Sequence, residues 1–463
     1  MKTRNMMLLG VAAVLLSSCK AYHSLYDRYE RPDVMADGIV RDPVADNAVL
    51  NAADTTSFGN LAWRSVFTDP QLQVLIDKAL TNNPSLINAA LNVEMAESQL
   101  KVAKLAFLPQ VTFTPQGTIS SFDGAKATKA YTLPINASWN IDLFGTLTSQ
   151  KRSAQMQLLQ IKDYQLSVKT SLVSNVANMY YTLLMLDKNL EIMTGMEELS
   201  KNTWDMMQLQ MQLGRARSTS VQSAEAAYYN VQAQKVDIQR QIRETENALS
   251  LLLGEPAQAI SRGTFDNQSL PEQFSTGVGV QLLNNRPDVH AKEMALAQCF
   301  YDIETARSRF YPQITISPTG AFTNSNGMVN PGKWLLQAVG SLVQPVFMHG
   351  QLVAGLRVAE DQYKQAYNDW QNSILSAGSE VSNALVKYNS SAEKSDLEAK
   401  RIEVLKRNVE HTTMLYKQSS SSYLEVLTAQ QQLLSAETSK VSDDFSKMQA
   451  VVNLYYALGG GVR

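Results

Sequence analysis

Cys19 is the residue whose surroundings most clearly specify a reaction. It follows Leu16-Ser17-Ser18, and before those come Lys2, Arg4 and an apolar run from Met6 to Leu16. A basic start, a short apolar core and small residues before a cleavage point make a secretory signal. A cysteine directly after the small residues has the arrangement of a bacterial lipobox, in which the thiol is acylated and becomes the first mature residue. The alternative is an ordinary signal peptide that contains a cysteine by coincidence. With Cys19 lipidated, only Cys299 remains, and no disulfide can form within the chain.

Other chemistry finds no support. His23, His290, His349 and His411 lie far apart in sequence, and none has a second ligand at metal spacing, so a zinc site or histidine-based catalysis is not expected. The chain has no HExxH, CxxC, phosphate-binding glycine loop or GxSxG elbow. Met193, Met196, Met206, Met207 and Met211 would suit a soft-metal path. On a bundled helix, however, methionine is usually adaptable packing, and that is the reading adopted. The pairs Tyr180-Tyr181, Tyr228-Tyr229 and Tyr455-Tyr456 read as core and interface. No enzyme and no cofactor are expected beyond the covalent lipid on Cys19. A net charge of -2 with both signs mixed asks for no nucleic acid.

The elements that organise the chain are two long runs, Leu147 to Leu213 and Gln351 to Gln418. Gly145 and Gly350 open them; Gly214 and Ser419 close them. As helices each would measure on the order of 100 Å. In the second run Leu352, Leu356, Ala359, Tyr363, Ala366 and Trp370 recur at steps of four and three, a coiled-coil seam whose small knobs allow close approach. An earlier helical pattern starts at Trp63, with Asp69 or Thr68 as cap and Pro70 in a first turn, passes Asn83-Pro84 and ends before Pro109. Shorter helices return over about 220–253 and 422–458. The predicted organisation is a signal over 1–18, a lipidated strap over 19–62, a first repeat over 63–253 with a hairpin at 110–142, a connector over 254–281, a second repeat over 282–458 with a hairpin at 313–347, and a tail over 459–463.

The hairpins decide whether a membrane is involved. Val111, Phe113, Pro115, Gly117 and Ile119 alternate with Thr112, Thr114, Gln116, Thr118 and Ser120, and Pro312-Gln313-Ile314 opens a second copy of the pattern. Such segments match the roughly 9–11 residues of a tilted membrane strand. Tyr131, Trp139, Phe322 and Trp334 fall near strand ends, where a membrane interface places aromatics. The alternative is a soluble sheet packing its apolar face on helices, and Pro115 and Pro318 inside the pattern favour it. Four strands cannot close a barrel, and open edges cannot face lipid, so the membrane reading demands an oligomer. Three copies would supply enough strands to leave a passage.

Several stretches together resemble the outer-membrane efflux protein family, the TolC-like exit ducts of tripartite pumps, in its lipoprotein branch. They are Trp63 to Pro84, Asp142-Leu143-Phe144-Gly145, Arg286-Pro287-Asp288, Phe310-Tyr311-Pro312 and Tyr423-Leu424-Glu425-Val426-Leu427-Thr428. The resemblance implies a mainly α fold with a β-barrel part: a homotrimer with a shared twelve-stranded transmembrane barrel and an α-helical barrel built from two internal repeats per chain. It implies outer-membrane lipid, a periplasmic adaptor protein and an inner-membrane RND-type transporter as partners. By the same resemblance Leu213, Gly214, Ser218, Ser419 and Ser422 form adaptor-contact tips, and Leu424 and Thr428 form the pore constriction. Many relatives are acidic where this chain has Thr428; Glu425, one turn earlier, would supply charge instead. Met348-His349 also departs from the family, at the strand-to-helix corner. The function implied is passive conduction of exported solutes, gated at the periplasmic helix tips. The alternative is a lipid-anchored periplasmic coiled-coil scaffold without channel activity.

Overall fold

Two repeats, each with a helix, antiparallel strands, a long helix and a return helix in that order, run along the chain. The computed structural model describes residues 26–33, 58–121, 123–271, 286–324, 333–418 and 422–461. The signal, Cys19, most of the strap, the end of the connector and Ser419 lie outside the described residues. The first repeat contains α1 (Trp63–Val66), α2 (Pro70–Asn82), α3 (Pro84–Leu105), β1 (Gln110–Phe113), β2 (Gln116–Ser120), β3 (Thr128–Ile141), α4 (Thr146–Gln212) and α5 (Ser218–Leu252). The second contains α6 (Pro287–Ser308), β4 (Gln313–Asn324), β5 (Lys333–Val343), α7 (Gln351–Lys417) and α8 (Tyr423–Ala457). Both long helices have 67 residues and both return helices 35, so the duplication read from the glycines is a duplication of structure. No helix among the described residues is long and apolar enough to cross a membrane.

Three boundaries differ from the sequence expectation. The helical pattern does not pass Asn83-Pro84: Asn83 is extended, at φ -64° and ψ 121°, because proline disfavours α geometry in the residue before it. Its side chain then caps α3, accepting from the amides of Ser85 and Leu86 at 2.9 and 3.2 Å. The first strand is cut at Thr114-Pro115. Thr114 donates its amide to the Pro134 carbonyl at 3.2 Å, and Pro134 has no N–H to return the bond. Finally, β5 stops at Val343 rather than running to Phe347.

The described residues form two compact units, one within 1–34, 91–163 and 290–373, the other within 35–90, 164–289 and 374–463. The first holds an antiparallel sheet in the order β1/β2, β3, β4, β5. Pro318 lies in a central strand: β4 keeps its register with β5 there, at Pro318 opposite Ala338, while the ladder to β3 is interrupted between Asn136 and Trp139. Proline in this sheet therefore costs ladder bonds and does not exclude the strand.

At the base of the sheet Asp142 caps α4. Its carboxylate accepts from the amides of Leu147 and Thr148 at 3.0 and 2.8 Å and from the Thr148 hydroxyl at 2.6 Å. Gly145 and Gly350 take positive φ, 74° and 80°, where the chain turns from strand to helix; His349 does so too, at 49°, a conformation that disfavours side chains. Strap residues 26–33 lie on this unit. Tyr26 donates its hydroxyl to the Leu143 carbonyl at 3.1 Å, and Arg31 forms a two-pronged pair with buried Glu293 at 2.7 and 2.6 Å.

His290 and Asp163 meet at 2.6 Å in the same unit. The Asp163 hydrogen bond raises the His290 pKa above its ordinary 6.5, against burial, with the charges of Asp163 and Glu293 adding and that of Arg31 opposing. A raised pKa means that the folded state holds the proton more tightly. The stabilisation is fully present below the unfolded value of about 6.5 and is lost as pH rises through the folded value. The melting temperature of His290→Gln should therefore fall below wild type by more on the acid side of that window than on the alkaline side. An offset independent of pH would refute the pairing.

The second unit is helical. Its core gathers Leu72, Ile76 and Ala79 of α2, Val176, Tyr180 and Leu183 of α4, Leu249 of α5 and Val452, Leu454 and Tyr455 of α8. The described start of the connector is tied to it at several points, among them a node at Asp69. Asp69 caps α2 through the Gln71 amide at 2.8 Å and accepts from the Tyr180 hydroxyl at 2.6 Å and the Gln268 amide group at 2.9 Å. Burial would raise the Asp69 pKa, but these hydrogen bonds outweigh it and hold the carboxyl below its ordinary value. Next to it Arg262 pairs with Asp187 and with Glu246.

Candidate channel wall and helix tips

The register assigns each sheet residue to a face. One row across four strands reads Phe113, Ile135, Gly320, Leu336; the adjacent row reads Thr112, Asn136, Thr319, Gln337. The rows alternate in this way because successive strand side chains point to opposite faces. On the apolar face Phe113, Ile135 and Leu336 are exposed. A soluble sheet would need helices packed there, and among the described residues that face is bare. Aromatics mark its far end, with Phe322 in contact with Tyr131 and Trp334 at centroid distances of 6.3 and 5.5 Å. Trp139, toward the base, donates its indole N–H to the Phe107 carbonyl at 2.9 Å.

The opposite face is polar and internally bonded. Thr319 donates to Asn136 at 3.1 Å, Asn136 to Thr114 at 3.2 Å, and Thr315 to Asn140 at 2.8 Å. The five strand segments contain only two charged residues, Lys129 and Lys333. This face can meet water without presenting a strong fixed field.

In the helical unit the structure brings the two helix reversals together. At the first, α4 ends in a Schellman turn: Arg215 N–H donates to the Gln210 carbonyl at 2.8 Å and Gly214 N–H to that of Met211 at 2.9 Å. Gly214 has φ 72°, which glycine adopts without a steric penalty. Leu213 is exposed beside it, and Ser218 begins α5. At the second, Ser422 precedes α8 with extended geometry. A shared cluster of Met207, Val221, Ala224 and Tyr423 joins the two hairpins, and buried Gln430 donates to Thr203 at 3.1 Å. Burial pushes the Tyr423 phenol up to about 12. On α8 Tyr423, Val426, Ala429 and Gln430 face inward, while Leu424, Glu425 and Thr428 line the exposed side. The Thr428 hydroxyl is spent on the Leu424 carbonyl at 2.7 Å.

The profile of the family described as "Outer membrane efflux protein" matches residues 75–255 and 278–460. The chain belongs to the outer membrane efflux protein family. It is 27% identical over 454 residues to "Cation efflux system protein CusC" of Escherichia coli K12, covering 97% of this chain and 98% of that one. It is 26% identical over 467 residues to "Probable outer membrane lipoprotein SilC" of Salmonella typhimurium, covering 98% of each. Among solved structures, the open-state MtrE outer membrane channel of Neisseria gonorrhoeae superimposes with a TM-score of 0.83 at 25% identity, covering 94% of this chain and 98% of that one. This efflux protein is thus an outer-membrane channel component with a TolC-like fold, mainly helical with a β part. Membership decides for the duct over the scaffold.

Sequence reasoning missed two features of this efflux protein. The node of Asp69, Tyr180 and Gln268 draws on residues far apart in the chain, which leave no local pattern. Leu335, Val339 and Val343 on the polar side of β5 were visible only as imperfect alternation. Of the five methionines, Met193, Met196 and Met207 are buried in the hairpins, where they pack, whereas Met206 is half-buried and Met211 is exposed.

Proposed function

We propose that three copies of this chain close their sheets into one twelve-stranded barrel and act as the passive outer-membrane exit duct of a tripartite efflux system. The observation that carries this reading is the sheet, with a bare apolar face, a hydrogen-bonded face that carries Lys333 as its one charge, and too few strands among the described residues to close alone. Apolar-out and polar-in is the pattern of a membrane barrel, and lipid does not tolerate its open edges. Cys19 carries the lipid that ties the N-terminus to the membrane, as the name of the SilC relative suggests for that protein. The tips at Leu213, Gly214, Ser218, Ser419 and Ser422 meet a periplasmic adaptor, and an inner-membrane RND-type transporter supplies the energy. Leu424, Glu425 and Thr428 form the constriction. No reaction is catalysed and no cofactor is needed.

Single-channel conductance in planar bilayers tests this. Wild type should show small, rare openings, and Leu424→Ala combined with Glu425→Ala should show steady openings several-fold larger. If neither protein conducts once its presence in the bilayer is established, the duct reading fails.

A further inference from the structure

On the other strands the hydrogen-bonded face is mostly Thr, Ser, Asn and Gln, whereas on β5 it carries Leu335, Val339 and Val343 at four-residue intervals. These side chains are 47%, 46% and 61% exposed. They stand on the same side as Gln337 and Ser341, because the register sets them opposite Ala321, Ser317 and Gln313. Lipid contact does not explain them, since the lipid-facing residues of β5 are the alternate set containing Leu336 and Leu342. A neighbouring strand does not explain them either: one added to β5 bonds in the plane of the sheet and leaves both faces open.

The strand itself does not require them, because threonine is as good a strand former as valine. Eight residues at about 3.3 Å each place Leu335 and Val343 roughly 26 Å apart, about the height of a barrel's apolar band. Beside Leu335 lie Ala321 and then Pro134, both buried, so the apolar strip widens at that level. None of the strand segments contains a carboxylate that would attract a cation.

We propose that Leu335, Val339 and Val343 form an apolar track along the wall of the passage that takes the hydrocarbon part of amphipathic organic solutes, favouring them over hydrated cations. The proposal rests on the duct reading above. Cation efflux is in the name of the CusC relative and describes that protein.

Tetraalkylammonium ions test it, because their charge is constant while their hydrocarbon grows. In bilayers holding the Leu424→Ala, Glu425→Ala channel, block should tighten steadily from the tetramethyl to the tetrapentyl ion. With Leu335→Thr, Val339→Thr and Val343→Thr added, tetrapentylammonium should block about ten-fold more weakly, the effect of removing a few buried methyl groups. Block by hexaamminecobalt, a stand-in for a hydrated cation, should not follow the same trend. A small-ion current from the variant reports an assembled barrel. If that variant yields none, Ser317→Val with Ser341→Val serves instead; it widens the track and should tighten block by the long ions. Block that ignores chain length, or chain-length dependence that survives the threonine substitutions, overturns the track. A silent parent channel overturns the duct reading and the track with it.

Discussion

Replacing Arg286 with alanine should destabilise the helical unit by about 3 kcal/mol, toward the low end of what removal of one partner from a buried ion pair costs. The Arg286 side chain is 4% exposed and pairs with Asp288 and Glu380, each at 2.6 Å. It also donates to the Ala457 carbonyl at 3.3 Å and lies 5.8 Å from the Tyr456 ring. One guanidinium therefore ties the start of α6 to α7 and to the end of α8. The two carboxylates are 39% and 46% exposed and can rehydrate, which keeps the cost from the top of the range. Burial alone would raise the Asp288 pKa, but the hydrogen bonds and charge of Arg286 more than reverse this and depress it. That part of the stability is present above the unfolded carboxylate value and is lost as pH falls through the lower folded one. Arg286→Ala should thus melt earlier than wild type at neutral pH by far-UV ellipticity, and the gap should narrow in acid. Equal melting at neutral pH would show that the clamp is not needed.

Ile135→Arg should prevent accumulation in the outer membrane, while Ser138→Arg on the same strand should not. Ile135 lies mid-strand on the apolar face between Phe113 and Gly320, and Ser138 lies on the polar face. An arginine on the lipid side near mid-membrane costs about 2–4 kcal/mol per strand, and a closed assembly repeats that cost in each copy. The polar face meets water and can hydrate the charge. Quantifying both variants in separated outer membranes provides the check; equal insertion would reverse or abolish the assignment of faces.

Much of this architecture could be read from residues because its periods are long and its boundaries sharp. A seam of steps of three and four from Leu352 to Trp370 admits little but a helix, and Gly145 and Gly350 sit where the backbone turns to positive φ. Alternation in the strands separated the two faces before any register was known. What escaped was set by pairing. Pro115 breaks the first strand only because Thr114 meets a second proline, Pro134, across the ladder, and neither residue announces the other in sequence. Periodicity was also silent about Leu424, Glu425 and Thr428: the helix pattern makes them an exposed stripe, and the resemblance alone singles them out. Arg286-Pro287-Asp288 stood out as a motif, yet its work as a three-helix clamp needed Glu380 and Ala457 to be located.

The proline at position 115 has a consequence for the chain before it assembles. Thr114 directs its N–H toward β3, so by the alternation of the ladder Pro115 presents its ring nitrogen to the free side of the strand. An incoming strand finds a gap there where an amide donor would be, and pairing by a misaligned or foreign strand is penalised at that point. Proline on a free edge is a known safeguard against sheet-to-sheet aggregation. In the proposed assembly of three copies, the same gap would disfavour edge-to-edge growth of any intermediate whose sheet is still unpaired.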